Sequence, residues 1–127
     1  MPAPALVVLL ARNLVEHLDL PGLIVAANGD LTFFNEAAGE LVGERFARRL
    51  SRQEWNQVGP RGADGSLLPS QNLPLSRTLR EGRAAHGRFF IVNDSDDLVE
   101  VDTTAMPLRD ADGFHGAMVL FWRVDET

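Results

Sequence analysis

The sequence predicts a single α+β domain built on one antiparallel sheet of five strands. The chain has 127 residues, 45% of them apolar and 24% charged, which is enough for one buried core but not for two. Short apolar segments typical of strands form a pair near the N-terminus and a group of three near the C-terminus. Short helical segments and a polar loop separate the two groups, so this long crossover divides one sheet into two runs.

An N-terminal helix is predicted over residues 4–18, because apolar side chains recur there at helical spacing. Leucine occupies every fourth position, at Leu6, Leu10, Leu14 and Leu18. Other apolar side chains widen this stripe beyond what one contact surface needs, namely Val7, Val8, Ala11 and Val15. We therefore expect the helix to cover one face of the sheet and to offer spare surface to a second subunit, including Leu6, Leu10 and Leu14.

A hairpin is predicted next, since two short apolar segments flank a turn. Its strands cover residues 23–27 and 31–34, and Asn28-Gly29-Asp30 supplies residue types that tolerate the positive φ angles of a tight turn. Asn35 follows directly and is typical of a helix N-cap, whose side chain accepts a hydrogen bond from an unpaired backbone N–H. The helix that it begins is predicted over residues 36–42.

The middle of the chain is predicted to hold two helices on either side of a loop. An irregular helix covers residues 44–57. Residues 59–72 are rich in Gly, Pro, Ser and Asp, which indicates a loop. A second helix covers residues 73–81, with Leu75 and Leu79 on its buried face.

Three strands are predicted to close the domain, over residues 88–93, 98–106 and 114–124. Pro107 is expected to end the second of them, because proline cannot donate to the hydrogen bonds of a sheet. The last strand is apolar on both sides, which predicts that both of its faces are covered. We expect the short helices to cover the side of this strand that carries Met118 and Leu120. The N-terminal helix or a second subunit is expected to cover the side that carries Val119 and Phe121.

Residues 14–124 resemble the PAS family. The first half of the resemblance is Leu23-Ile24-Val25 and the turn at Asn28, followed by Phe33-Phe34-Asn35-Glu36-Ala37-Ala38. The second half is Leu73-Pro74-Leu75, Glu81-Gly82, Met106-Pro107-Leu108, Asp112-Gly113 and Val119-Leu120-Phe121. This resemblance divides the chain into an N-terminal amphipathic helix over 1–20, a PAS core over 21–124 and a C-terminal junction over 125–127.

The resemblance implies a sheet curved around a small cavity that short helices close. By this analogy the cavity is lined by Phe34, Trp55, Leu79, Phe90, Val92, Val101, Thr103, Met118 and Leu120. Such a mainly apolar lining with a few polar groups suits a small organic ligand. The alternative is that these side chains fill the core completely.

The same resemblance implies two candidate cofactors, haem and flavin. Haem would need an axial histidine, and His86 lies near the position where haem-binding relatives place theirs. The chain has no cysteine, so a flavin adduct or a thiol-linked chromophore is excluded, whereas non-covalent flavin stays open. No metal site is predicted, because the acidic run over residues 94–102 lacks the spacing of a calcium loop.

The predicted function is a signal-sensing or dimerisation module of a bacterial-type signal transduction or transcription regulator, such as a two-component system. We expect a homodimer in the cytoplasm, attached to an output domain. The net charge of −6 argues against nucleic acid as a partner, and the apolar segment 3–11 is too short to span a membrane. The alternatives are an interaction domain with a filled core and a small cone-shaped enzyme. The enzyme would use Glu100 or Asp102 as its base, yet strand alternation turns both side chains away from the cavity.

Overall fold

The computed structural model describes residues 5–42, 60–93, 95 and 97–124. The chain begins with helix α1, continues with a hairpin and a short helix, and ends with helix α3 and three longer strands. The elements are α1 (Leu6–His17), β1 (Gly22–Ala26), β2 (Leu31–Phe34), α2 (Glu36–Val42), a 3-10 turn (Ser70–Asn72), α3 (Pro74–Glu81), β3 (Ala85–Val92), β4 (Leu98–Asp110) and β5 (Gly113–Arg123). The helix predicted over residues 44–57 lies outside the described residues.

All five strands form one antiparallel sheet in the order β2-β1-β5-β4-β3. The last strand of the chain therefore lies at the centre, with the first hairpin on one side and β4 and β3 on the other. This arrangement confirms the predicted α+β class with its five-stranded antiparallel sheet. It also explains why β5 is apolar on both sides, since a central strand is covered on both faces.

The prediction that Pro107 ends a strand is wrong, because β4 continues through it to Asp110. At the hairpin end Asp110 pairs with Gly113, whereas Pro107 pairs with Ala117. Between these pairs β4 has two residues and β5 has three, so β5 contains a bulge. The sheet accommodates proline at this irregularity, where the regular ladder of hydrogen bonds is already interrupted.

Helix α1 covers one face of the sheet, which we call the outer face. Ala11 and Val15 of α1 form a buried cluster with three sheet residues, Ile24, Leu108 and Met118. Val15 has no exposed surface, and a Cβ added at Gly22 would lie 3.1 Å from its Cγ1 atom. Glycine at position 22 therefore allows the end of α1 to approach β1 closely.

Helices α2 and α3 cover the opposite face, which we call the inner face. Ala38 of α2 is fully buried against β4 and β5, and Leu75 of α3 packs on the same cluster. Thr78 of α3 is also fully buried, and its hydroxyl donates to the carbonyl of Ala105 across a distance of 3.3 Å. The predicted placement of the short helices on one face and the N-terminal helix on the other is confirmed.

The segment around Arg61 pairs with the free edge of β3. The backbone of Arg61 exchanges two hydrogen bonds with Phe90, of 2.7 and 2.8 Å, and Arg61 also pairs with Leu67. The predicted loop over residues 59–72 thus closes part of an edge strand, which would otherwise present unpaired N–H and C=O groups. None of the helices in the described part of the chain has the length and hydrophobicity that crossing a bilayer requires.

Candidate functional site

The inner face of the sheet is the candidate site, since it is the apolar layer between the strands and helices α2 and α3. The buried set comes from α2, β4 and β5, and consists of Ala38, Val99, Val101, Ala105, Val119 and Phe121. Partly buried side chains surround this set, namely Leu23, Leu31, Phe34, Leu41, Leu75, Phe89 and Ile91. Such a surface contacts small apolar molecules well and offers few polar partners.

The hydroxyl of Thr103 is the polar group of this apolar layer. Thr103 lies on β4 between Val101 and Ala105, pairs with Phe121 on β5, and is 3% exposed. Its Oγ1 atom is buried and has no hydrogen-bond partner among the described residues. A buried hydroxyl without a partner costs about 1–3 kcal/mol relative to one that is hydrogen-bonded.

Three of the predicted cavity residues do lie on the inner face: Phe34, Val101 and Thr103. Leu79 is half-buried on α3 and lies beside Gly29 in the turn between β1 and β2, away from the buried inner set. Trp55 lies outside the described residues. Whether any of these side chains contacts a ligand stays a prediction.

Four assignments on β5 are wrong, because the two faces of this strand are exchanged. Met118 and Leu120, predicted in the cavity, pack on the outer face under α1. Val119 and Phe121, predicted at a subunit interface, are each 4% exposed in the inner cluster. The cause is the bulge: the extra residue of β5 shifts its pairing by one, and a shift of one residue turns every later side chain to the other face.

Phe90 and Val92 were also predicted in the cavity, and this is wrong as well. On β3 it is Phe89 that pairs with Val101, and Phe89 packs on the inner cluster. Alternation along the strand turns Phe90 and Val92 to the outer face. The pairing follows from the loop after Val92, which sets Val92 opposite Leu98. The predicted strand over residues 88–93 would have set Asn93 opposite Leu98 and Phe90 opposite Val101, whereas β3 ends one residue earlier.

Asn35 joins the inner face to the outer one. Its Oδ1 atom accepts hydrogen bonds from the backbone N–H groups of Gly22, at 3.0 Å, and Ala38, at 2.9 Å. Its Nδ2 atom donates to the carbonyls of Val15, at 2.9 Å, and Leu20, at 2.7 Å. The bond from Ala38 confirms the predicted N-cap of α2. The bonds from Nδ2 to the last turn of α1 and to the residues just after it were not predicted, since nothing in the local sequence indicates partners so far back along the chain.

The polar part of the outer face centres on Asp102. Its Oδ1 atom accepts from Arg88 Nε at 2.9 Å and lies 3.2 Å from His86 Nε2, while His86 Nδ1 lies 2.7 Å from Thr104 Oγ1. The hydrogen bond from Arg88 holds the pKa of Asp102 below its ordinary value of 3.8, with a smaller contribution from His86. This is a cross-strand ion pair of moderate exposure.

His86 does not fit the predicted role of an axial haem ligand. It lies on the outer face of the sheet, and both of its ring nitrogens lie within hydrogen-bond distance of Thr104 and Asp102. Asp102 and Glu100 likewise point away from the inner face, as strand alternation predicts. Among the described residues, the inner face therefore holds neither a histidine nor Glu100 or Asp102, the carboxylates of the enzyme hypothesis.

Helix α1 carries exposed leucines on the side that does not contact the sheet. Their exposed fractions are 67% for Leu6, 44% for Leu9, 61% for Leu10 and 50% for Leu14. Four large apolar side chains on one short helix form an apolar stripe of the kind that marks interaction surfaces. The three predicted interface residues of α1 are thus exposed, while a partner for them stays a prediction.

No family model matches the sequence, and no curated protein matches it. Solved structures do match the fold. The chain is similar to the PAS domain of BvgS from Bordetella pertussis, with 13% identity and a TM-score of 0.62 over 94% of this chain and 86% of that one. It is also similar to the PAS domain of nitrogen regulation protein NR(II) from Vibrio parahaemolyticus, with 15% identity and a TM-score of 0.57 over 91% and 98% of the two chains.

A third similar structure is the light-state dimer of the fungal blue-light photoreceptor Vivid. It has 12% identity and a TM-score of 0.64, and the match covers 96% of this chain and 97% of that one. In each case the sequence identity is low while the match covers most of both chains. Strand order, helix placement and these similarities agree, and the chain therefore has the fold of a PAS domain.

Proposed function

We propose that this chain is a signal-sensing module that holds a small, mainly apolar ligand against the inner face of its sheet. The observation that carries the proposal is the buried hydroxyl of Thr103, which has no partner among the described residues. A ligand with one hydrogen-bonding group beside Thr103 would satisfy this hydroxyl, and its apolar remainder would contact Val101 and Phe121.

A neighbouring threonine sharpens this argument. Thr78 is also fully buried under the same sheet, yet its hydroxyl donates to the carbonyl of Ala105. The fold therefore provides a partner for one buried threonine and none, in the described residues, for the other. Polar groups that stay unsatisfied in a core are uncommon and are often explained by function or by a bound molecule.

The chemistry of the inner face limits the class of ligand. A non-covalent flavin presents many polar ring atoms, whereas the described inner cluster offers apolar side chains and the hydroxyl of Thr103. We therefore favour a smaller organic molecule, with one donor or acceptor, over the flavin that the sequence left open. The second candidate, an interaction domain with a filled core, would leave Thr103 without a ligand.

The similar structures support a signalling role. The matched domains belong to BvgS, to nitrogen regulation protein NR(II) and to a blue-light photoreceptor. By this analogy we place the module in a bacterial-type signal transduction regulator, such as a two-component system, with an attached output domain. The absence of cysteine suits a reducing compartment, and a cytoplasmic location is part of this proposal.

We include a homodimer in the proposal, with α1 as the contact. Leu6, Leu10 and Leu14 repeat every four residues along one side of α1, and each is at least half exposed. A second copy of α1 would bury this stripe in both subunits at once, as a symmetric contact requires. Val119 and Phe121 are not part of this interface, because the inner cluster buries them.

Native mass spectrometry of the purified protein tests the ligand and the dimer together. We expect a dimer with added mass that is lost on denaturation, and less added mass on a Thr103→Val variant, which removes the hydroxyl and keeps the side-chain shape. Thr78→Val is the matched control, since its hydroxyl already has a partner. Bare chains for the wild-type protein would refute ligand binding, and a bare monomer would also refute the interface on α1.

A further inference from the structure

The end of β2 lies between the two faces of the sheet, and consecutive residues there point in opposite directions. Phe33 packs on the outer cluster, and the guanidinium of Arg12 from α1 lies 4.8 Å from its ring centre. Phe34 packs on the inner cluster. Asn35 follows at once and is 4% exposed.

Asn35 has all four hydrogen-bonding positions of its amide in use. Two N–H groups, of Gly22 and Ala38, donate to its oxygen. Its nitrogen donates to the carbonyls of Val15 and Leu20, with the carbonyl of Leu18 farther away at 3.5 Å. This arrangement fixes the orientation of the amide, since the reverse orientation would place donors against donors. A buried, fully satisfied group of this kind moves with its partners.

The four partners belong to elements that face different surroundings. Ala38 is in the first turn of α2 and is fully buried on the inner face. Val15 is in the last turn of α1, and its carbonyl also accepts the N–H of Leu18, which ends the helix. One side chain therefore connects the helix that covers the proposed ligand with the helix that carries the exposed leucines.

We propose that Asn35 is the residue through which a displacement on the inner face reaches α1. The inference rests on the proposed function, because it takes the inner face as the sensing surface and α1 as the responding element. A ligand that shifts α2 moves the Ala38 N–H, and Asn35 transfers this movement to the Val15 and Leu20 carbonyls. The end of α1 loosens, and α1, which carries the leucine stripe on its exposed side, changes its position on the sheet.

Two substitutions separate coupling from simple structural support. Asn35→Asp keeps both acceptor contacts and the N-cap, since aspartate caps helices as well as asparagine, but it removes the donors to Val15 and Leu20. Ala38→Val adds two methyl groups under α2 and displaces it without any ligand. Ala85→Val is the matched control, because Ala85 is a buried alanine of β3 that lies outside the inner cluster.

Hydrogen–deuterium exchange of the full chain measures the response. With Asn35 present, we expect Ala38→Val to raise exchange at residues 14–20 roughly tenfold relative to peptides of β4 and β5. The physical reason is that the loss of buried hydrogen bonds allows local opening. With Asn35→Asp, exchange at 14–20 is already raised, and Ala38→Val adds no further increase. Ala85→Val leaves exchange at residues 14–20 unchanged relative to the sheet.

Two results would overturn the coupling. One is an equal effect of Ala38→Val on residues 14–20 in both backgrounds. The other is no effect of Ala38→Val when Asn35 is present, which would leave Asn35 a purely structural residue. If Asn35→Asp does not fold, Asn35→Ser takes its place, because serine can cap α2 but is too short to reach α1. No ligand is added, so a failure here is distinct from bare chains in native mass spectrometry.

Discussion

Gly116→Ala tests the bulge that decides which side chains of β5 lie on the inner face and which on the outer face. Gly116 has a φ angle of 129°, and a Cβ atom added there would lie 2.1 Å from the carbonyl oxygen of Val25 and 3.0 Å from the carbonyl carbon of Ala26. Both contacts are with backbone atoms of β1, so neither can be relieved by rotating a side chain. Alanine must therefore either separate β1 from β5 or remove the bulge and shift the register.

Gly113→Ala is the matched control for this clash. Gly113 has a similar φ angle of 123°, but an added Cβ atom there meets nothing within 4 Å. Both variants lose about 1–2 kcal/mol to the unfavourable backbone conformation. Gly116→Ala alone adds an overpacking cost of about 1–3 kcal/mol.

Urea unfolding measures the difference between the two variants. With a slope of roughly 2 kcal/mol/M for a domain of this size, the expected extra cost lowers the midpoint of Gly116→Ala by about 1 M below that of Gly113→Ala. Equal midpoints for the two variants would refute the argument, because the close approach of Gly116 to Val25 would then have no energetic consequence.

The remaining predictions concern α1, Thr103 and Asp102. Leu10→Asp should convert a dimer to monomers in analytical ultracentrifugation. The same change at Leu67, a loop leucine that is 48% exposed, should leave the dimer intact. Dimers in both variants would contradict the α1 interface. Thr103→Val should raise the urea midpoint, because it removes a buried hydroxyl that has no partner among the described residues, and it should weaken ligand retention. A lower midpoint would indicate that the hydroxyl has a partner within the protein. The lowered pKa of Asp102 stabilises the folded state at neutral pH, and this stabilisation is lost as the pH falls below 3.8. The difference in stability between wild type and Asp102→Asn should therefore shrink from pH 7 to pH 3. An unchanged difference would contradict that ion pair.

Local signals in the sequence predicted the elements well. The strand over residues 31–34 and the helix over residues 36–42 have the predicted bounds. Both depend on interactions close in sequence: the turn at Asn28 and the N-cap at Asn35. Alternation along β4 also placed Val101 and Thr103 on one side and Asp102 on the other, as the structure has them.

The faces of β5 could not be predicted in the same way, because they depend on pairing with another strand. The strand pattern of β5 is apolar on both sides, so it carries no information about which side is buried under which helix. One extra residue at Gly116 decides which side chains of β5 lie on each face. Glycine is needed there because the backbone of β1 passes too close for a Cβ atom. A glycine inside an apolar strand was the available signal, since such glycines often mark a bulge.

The hydrogen bonds from Asn35 to α1 show a similar limit. The N-cap contact to Ala38 spans three residues and follows from local propensity. The contacts to Val15 and Leu20 span 20 and 15 residues, and they form only because the hairpin of β1 and β2 brings Asn35 beside the end of α1. Long-range contacts of buried amides follow from topology rather than from composition.

We expect the inner face of the sheet, and not the outer one, to receive a small apolar ligand beside Thr103. Methyl NMR during a titration with indole, an apolar molecule with one N–H donor, tests it directly. We expect saturable shifts at the methyl groups of Val101 and Val119 on the inner face, none at Met118 and Leu108 on the outer face, and weaker binding to Thr103→Val. Shifts confined to the outer-face methyl groups, or no saturable shift on the inner face, would contradict the claim.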